Sequence, residues 1–368
     1  MAHIKSIKKL VCLQIIPSMD IGGVETGIRD MSSYLTNKNI ENYVLTQKSN
    51  NKLDNKNINI HYLDNLNFKN ILHQKRIKKI IRELIDRYQI NLIHISSRAP
   101  AFFLANWIKK RNISLITSLH NTYRYKNFLK KYYISFLLKG DRVLANSHYV
   151  SNHFYKNFSF KNKRIEIIPR GTDTDYFNSE EKHNHEAREY LNILHPSRIS
   201  SWKGHDVFIN YINRLADDTK YNFMVTIISN HNNKYEKSLD ISIKNLEISH
   251  RINFVKPTTN VKELYMDADI VVNSSIRPEG FGRTICEALS MKIPVIAPNS
   301  GGTKEQLEKF DNKLLYEINN YESFKQALYY ALNNRNNISN TSRDFVLNNY
   351  SKNVMCSSQL KVYQSSLK

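Results

Sequence analysis

Runs of consecutive apolar residues rich in Val, Ile and Leu recur along this chain. They alternate with stretches in which apolar side chains return every three or four positions. In the first half the runs fall near residues 10–16, 42–46, 58–62, 91–95, 114–118, 142–145 and 165–168; in the second, near 191–195, 223–229, 252–254, 269–273, 294–297 and 313–316. A strand that is apolar at every position has both faces covered, as in a parallel sheet flanked by helices; a half-solvated antiparallel sheet would alternate instead. Two successive sets of β–α alternation predict an α/β protein of two doubly wound, Rossmann-like domains, residues 1–178 and 186–350. The polar, charged stretch Asp173–Glu189 reads as the linker, and the tail 351–368 as weakly helical. Ligands of such sheets bind beyond the carboxyl ends of the strands. Two domains of this kind facing across a cleft should therefore carry their chemistry in loops that follow strands.

Composition narrows the class. At 368 residues, with 41% hydrophobic and 24% charged side chains, the chain is long enough for two cores and is not disordered or fibrous. Only 10 Gly and 8 Pro argue against long flexible linkers. Cys12, Cys286 and Cys356 show neither metal-like spacing nor a disulfide framework, which fits a reducing cytoplasm. No apolar run approaches the roughly 18 residues that span a bilayer. The basic start followed by an apolar stretch resembles a signal peptide, but the stretch is short and no small-residue cleavage site follows, so a buried first strand is expected.

The net charge of +21 is uneven: the first 175 residues hold 30 Lys and Arg against 12 Asp and Glu. Such a field attracts polyanions, whether nucleic acid, an anionic lipid surface or an acidic glycan. Lys69–Tyr88 has apolar positions 71, 72, 77, 80, 81, 84, 85 and 88, the spacing of a surface helix with a basic outer face. Arg124–Lys139 mixes aromatic and basic residues; it suits an interfacial, lipid-facing helix or a core-packed helix whose lysines snorkel outward.

Five segments lie where ligands of such sheets bind. After the first strand, Gly22-Gly23 precede an amphipathic helix, and paired glycines with free helix N–H groups admit an anion closely. After the strand ending near His195 come Arg198, Lys203 and Gly204, two cations suited to a diphosphate. After the strand at Asp269–Asn273, Glu279 and Glu287 flank Gly280 and Gly282. Backbone N–H groups of Gly282, Arg283 and Thr284 at the start of a helix could meet an anion, while the carboxylates could accept sugar hydroxyls. His120 stands at the end of an apolar strand, and Asn146-Ser147 can cap the helix that follows another. His148, His153, His183 and His185 make no convincing metal set, and no Asp-x-Asp, Walker or zinc-ligand pattern is expected to hold a metal.

Taken in chain order, the GGVE loop, His120, the ANS segment, IPRGTD, SRISSWKG and the two glutamates with seven residues between them resemble glycosyltransferase family 4, retaining enzymes of the GT-B fold. The strings KGDRV, SWKG and RPEGFGR are similar to those of lipopolysaccharide and capsular polysaccharide enzymes. The resemblance implies that Gly22 and Gly23 line the diphosphate and reaction centre, that Arg198 and Lys203 bind the donor diphosphate, and that Glu279 contacts the donor sugar. It places Phe281, Gly282, Arg283 and Thr284 along the donor, Glu287 on the nucleotide ribose and His120 beside the transferred sugar. The implied catalytic set is His120, Arg198, Lys203 and Glu279. Family enzymes typically need no metal or other cofactor, bind the acceptor in the N-terminal domain, and return a final helix to it, here 351–368. Two departures stand out: Ser197 where Gly is common before the Arg, and Arg170 where Asn is common, a change that bears on the hinge or the acceptor pocket.

The expected reaction moves a sugar from a nucleoside diphosphate to a glycan or lipid-linked acceptor with retention, in cell-envelope polysaccharide synthesis, in the cytoplasm or at the inner face of its membrane. Same-face and covalent routes both stay open. The alternatives are another GT-B activity (a nucleotide-sugar epimerase or a phosphorylase), a basic nucleic-acid-binding protein, for which no motif is present, and an inactive scaffold, against which both glutamates and both cations speak.

Overall fold

The computed structural model describes residues 9–20, 22–48, 58–159, 165–179, 189–218, 222–229, 234–258 and 260–368. Each apolar run forms a parallel strand, and the chain divides into two units, Met1–Gly171 with Lys352–Lys368, and Thr172–Ser351. The first unit runs β1 (Val11–Ile15), α1 (Gly23–Asn37), β2 (Glu41–Gln47), β3 (Ile60–Leu63), α2 (Gln74–Tyr88), β4 (Leu92–Ile95), α3 (Arg98–Lys109), β5 (Ser114–Leu119), α4 (Phe128–Ser135), β6 (Arg142–Ala145), α5 (His148–Asn157) and β7 (Ile165–Ile167). Its strands pair in the order β3-β2-β1-β4-β5-β6-β7. The order reverses between β1 and β4, the position at which doubly wound sheets open a crevice for ligands. Leu13 and Ile15 pack with α2, α3 and residues 134–138 on one face, while Cys12 packs with α1 on the other.

The second unit runs β8 (Leu191–His195), α6 (His205–Asp218), β9 (Phe223–Ile228), α7 (Lys234–Lys244), β10 (Ile252–Val255), α8 (Val261–Met266), β11 (Ile270–Val272), α9 (Arg283–Ser290), β12 (Val295–Pro298), α10 (Gly301–Phe310), β13 (Leu315–Tyr316), α11 (Tyr321–Asn333) and α12 (Arg335–Tyr350). Its order is β10-β9-β8-β11-β12-β13, all parallel, with the reversal between β8 and β11.

The structure moves the first boundary from residue 178 to 171. Thr172 donates its N–H to the Tyr350 carbonyl, Phe177 is 4% exposed in the second core, and Arg343 bonds the carbonyls of Thr174 and Phe177. Most of the expected linker, 180–188, lies outside the described residues. The tail is a full helix, α13 (Lys352–Ser365), packed in the first unit against α1. Its apolar periodicity is weak because polar groups sit on its inner face. Gln359 donates to the Tyr363 hydroxyl at 2.7 Å, that hydroxyl meets His94 Nδ1 at 2.6 Å, and His94 Nε2 meets Ser118 Oγ at 2.6 Å. The Tyr363 hydroxyl thus ties α13 to His94 on β4, and Ser118 ties the same imidazole to β5. The 124–139 segment divides: Ile134 and Phe136–Leu138 enter the core while Phe128, Leu129 and Tyr132 face solvent. Ile71 and Leu72 sit in a 3-10 turn before α2 and are exposed, off the helix's buried face.

Burial, reinforced by the Arg170 charge, lowers the His94 imidazole to about 3. In the unfolded chain it titrates near 6.5. Between those values the unfolded chain holds a proton that the folded chain refuses, so stability present above pH 6.5 is lost as the pH falls. Urea titrations at pH 7.5 and 5.5 should therefore show wild type losing about 1.4 kcal/mol more than His94→Gln over that interval. An equal loss in the two proteins would assign the acid lability to other groups.

Candidate active site

The second unit's site grows from the two loops at its strand-order reversal. After β8, Arg198 is exposed and has no hydrogen bond or ion pair to another described residue. A 3-10 turn at Ser201–Lys203 follows and ends at Gly204, whose φ of 68° lies in the left-handed region. A Cβ there would lie 2.2 Å from the Ser274 carbonyl oxygen, so only glycine lets this loop rest on the loop after β11. Ser274 Oγ joins the two, meeting His195 Nε2 at 2.8 Å and donating to the Lys203 carbonyl at 2.9 Å.

Across this junction Lys203 Nζ lies 2.7 Å from Glu279 Oε1, with the two side chains 15% and 12% exposed. The ammonium also sits 4.4 Å from the centroid of the Trp202 ring. Asn273 Nδ2 at 2.9 Å and Ser275 Oγ at 2.5 Å donate to the same oxygen. Burial alone would push the Glu279 carboxyl up; the Lys203 charge and these hydrogen bonds outweigh it and hold it below the usual carboxylate range. All three donors converge on Oε1, and Oε2 has no hydrogen-bond partner among the described residues.

Glycines clamp this loop from behind. At Gly301 (φ 63°) a Cβ would lie 2.6 Å from the Glu279 carbonyl oxygen, and at Gly302 2.6 Å from that of Gly280; the Gly302 N–H donates to the Glu279 carbonyl at 2.8 Å. Gly282, with φ of 91°, begins α9. One turn into that helix Glu287 holds Arg283 Nη2 at 3.1 Å on Oε1 and accepts from the buried Tyr265 hydroxyl at 2.8 Å on Oε2. Thr284 Oγ1 accepts from Asn273 Nδ2 at 3.2 Å. The Phe281 ring, expected along the donor, is 5% exposed and packs on Tyr350, so it offers backbone rather than ring. Tyr265, Asn273 and Ser275 were not expected; the polar triplet 273–275 ending an apolar strand at the carboxyl edge is the signal that marks the last two.

In the first unit Gly22 is the N-cap of α1 and Gly23 its first residue, at the carboxyl end of β1. At Gly27 of the same helix, a Cβ would lie 2.3 Å from Arg170 Nη1. The other end of that guanidinium, Nη2, donates to His120 Nδ1 at 2.8 Å, and Asn146 Nδ2 holds the His120 carbonyl at 2.9 Å. Arg170 is therefore a support for His120. Burial first, then the Arg170 and His94 charges, lower His120 well below the usual imidazole range, although the Ser96 backbone pulls the other way. Its proton is on Nε2, because Nδ1 accepts from Arg170. Nε2 is buried and makes no well-aligned hydrogen bond to a described residue. Ser118, His120, Asn146, Arg170 and Gln359 help line a cavity of about 20 Å³, room for one water.

His148 is exposed and His153 bonds Asn157, while His183 and His185 lie outside the described residues. Two Asp-x-Asp triplets are structural: Asp173 caps a turn, and Asp269 pairs with Arg335 at 2.7 Å beside Asp267, which holds Asn192. Among the described residues no group of three His, Cys, Asp or Glu side chains is placed to hold a metal ion.

Residues 21–176 match Glycosyltransferase Family 4, and residues 177–352 match Glycosyl transferases group 1. A glycosyltransferase from Rickettsia africae is 30% identical and superposes with a TM-score of 0.86, over 98% of this chain and 99% of that one. This chain is a GT-B glycosyltransferase of the family 4 type. It is also 27% identical to an uncharacterized glycosyltransferase of Methanocaldococcus jannaschii, over 85% of this chain and 86% of the relative. HepE from Anabaena, solved with UDP and glucose, shares the fold: TM-score 0.80 at 17% identity, over 97% and 100% of the two chains.

In this glycosyltransferase, removing the Lys203 ammonium leaves a buried carboxylate with two neutral donors. Lys203→Ala should cost on the order of 3 kcal/mol in urea denaturation, against about 1 kcal/mol for Ser275→Ala. Equal, small losses would show that the carboxylate is not held by the ammonium.

Proposed function

We propose that this glycosyltransferase moves a sugar from a nucleoside diphosphate to a hydroxyl of a glycan or lipid-linked acceptor, with retention and without a metal, in cell-envelope polysaccharide or lipopolysaccharide synthesis in the cytoplasm. The observation that carries the reading is the Glu279 carboxylate. Oε1 is saturated by Lys203, Asn273 and Ser275, while Oε2 is left to accept from a donor-sugar hydroxyl. It lies where doubly wound sheets bind ligands, with Arg198 and Lys203 on the neighbouring loop to meet the diphosphate. Glu287 is already oriented by Tyr265 and Arg283, and each of its oxygens keeps a lone pair for a ribose hydroxyl.

In the proposed step the bond from the anomeric carbon to the phosphate oxygen breaks and a bond to the acceptor oxygen forms. The acceptor proton passes to the leaving phosphate on the same face of the sugar. Negative charge grows on the diphosphate, and Arg198, Lys203 and the amides opening α9 are fixed positive partners that need no rearrangement to stabilise it. His120, neutral and pinned at Nδ1 by Arg170, keeps an Nε2 proton to donate to a sugar hydroxyl.

A thermal-shift panel of nucleoside diphosphates and nucleotide sugars should give at least one stabilising donor, since a ligand raises apparent stability with its occupancy. With that donor, Lys203→Ala should lower turnover by about 100-fold or more. Glu287→Ala should raise the donor KM by about 10-fold with little change in kcat. Unchanged turnover in the first variant removes the diphosphate role, and an unchanged KM in the second removes the ribose role. An epimerised nucleotide sugar appearing without transfer would replace the transferase reading.

A further inference from the structure

The charge asymmetry becomes sharper when counted by unit. Met1–Gly171 with Lys352–Lys368 holds 33 basic and 10 acidic residues, net +23; Thr172–Ser351 holds 21 and 23, net −2. The whole excess therefore belongs to the first unit. On that unit two short segments lift large apolar side chains into solvent. Ile71 and Leu72 are 72% and 81% exposed, and Phe128, Leu129 and Tyr132 are 76%, 75% and 51% exposed.

Neither segment is slack. The turn carrying Ile71 and Leu72 is braced by Asn70, whose side chain accepts from Leu72 N–H, and by Gln74, which donates to the carbonyls of Phe68 and Asn70. α4 is capped by Asn127, which accepts from Lys130 N–H at 2.9 Å, and Phe128 stacks beside Tyr132, their ring centroids 6.5 Å apart and planes 18° from parallel. Ordered backbone that holds bulky apolar residues in water marks a contact surface.

Topology brings the two segments to one side. α2, α3 and residues 134–138 pack into the same core on the same face of the sheet. The 3-10 turn before α2 follows β3, and α4 follows β5, so both open at the carboxyl edge. β3 and β5 are four strand steps apart in the sheet, roughly 19 Å. Around them the sequence is uniformly cationic. Residues 65–82 contain Lys69, Lys75, Arg76, Lys78, Lys79 and Arg82, residues 121–140 contain Arg124, Lys126, Lys130, Lys131 and Lys139, and neither stretch contains Asp or Glu.

We propose that the first unit docks on an anionic lipid bilayer through these two apolar points, Ile71-Leu72 and Phe128-Leu129-Tyr132, with the surrounding lysines and arginines on the headgroups. Charge complementarity selects this occupant. Aliphatic and aromatic side chains of this size enter the headgroup boundary, and a dense cationic ring around them is repelled by a second copy of the same +23 unit but attracted by acidic lipid. His120 ends β5 at the same carboxyl edge, so docking would hold that edge at the surface where a lipid-linked acceptor is presented. In this respect the inference deepens the proposed function, although its physical basis is independent of the chemistry.

The test is co-sedimentation of the full chain with vesicles of phosphatidylcholine alone and of equal parts phosphatidylcholine and phosphatidylglycerol. Wild type should bind the acidic vesicles at least ~10-fold more tightly and be released by added salt. The exposed double variants I71S/L72S and F128S/L129S should each weaken binding by about 5-fold or more, while keeping the same donor thermal shift and the same turnover on a water-soluble acceptor. Binding to neither vesicle, equal binding to both, or variants that bind as wild type does would overturn the proposal. So would sedimentation velocity showing a dimer that these substitutions dissociate. Vesicle binding without any donor shift or turnover would leave the docking surface standing and remove the transferase chemistry; the converse result would do the reverse.

Discussion

A buried carboxylate whose three donors all reach one oxygen is the constraint around which the second unit is arranged. Glu279 sits on the loop after β11, Lys203 in the turn after β8, and Asn273 and Ser275 just past the end of β11. Desolvating a carboxylate costs several kcal/mol unless charge and hydrogen bonds answer it. The loops must therefore come close, and the glycines follow from that need. Gly204 lets one loop lie on the Ser274 carbonyl, and Gly301 and Gly302 let α10 press against the backbone of residues 279–281. The result is a carboxylate with one oxygen fixed by the protein and the other without a hydrogen-bond partner among the described residues, at the point where the strand order reverses.

The two units share a second device, the neutral buried imidazole used as a pin. His94 links β4 to β5 and α13, and His195 is joined to the loop after β11 through Ser274. Burial lowers the imidazoles of His94, His120, His195 and His205 alike, so each keeps one donor and one acceptor nitrogen at neutral pH. His120 differs in what it does with them. Its acceptor is taken by Arg170, and the residue helps line a small cavity.

Much of this was legible before any coordinates. Each of the thirteen strands among the described residues falls on an apolar run, because a strand covered on both faces cannot hide its composition. The places of Lys203 and Glu279 on loops after strands, and of Glu287 one turn into a helix, were legible too. What could not be read were the partners. Tyr265 lies 22 residues before Glu287 on a short helix, and Arg170 lies 50 residues after His120; only the fold brings them together. α13 was underestimated because Gln359 and Tyr363 face inward to satisfy His94, which blurs the apolar period. The 124–139 segment offered two readings, and the core-packed one describes its second half. Ile134 and Phe136–Leu138 belong to the core, and Phe128, Leu129 and Tyr132 to the surface.

The most direct measurement is a crystal structure of this glycosyltransferase with a slowly reacting nucleotide-sugar analogue. The account predicts diphosphate oxygens on Lys203 Nζ and the Arg198 guanidinium, a sugar hydroxyl on Glu279 Oε2, and the ribose on Glu287. A nucleotide bound elsewhere, with Oε2 of Glu279 facing only water and the Lys203–Glu279 pair untouched, would contradict it.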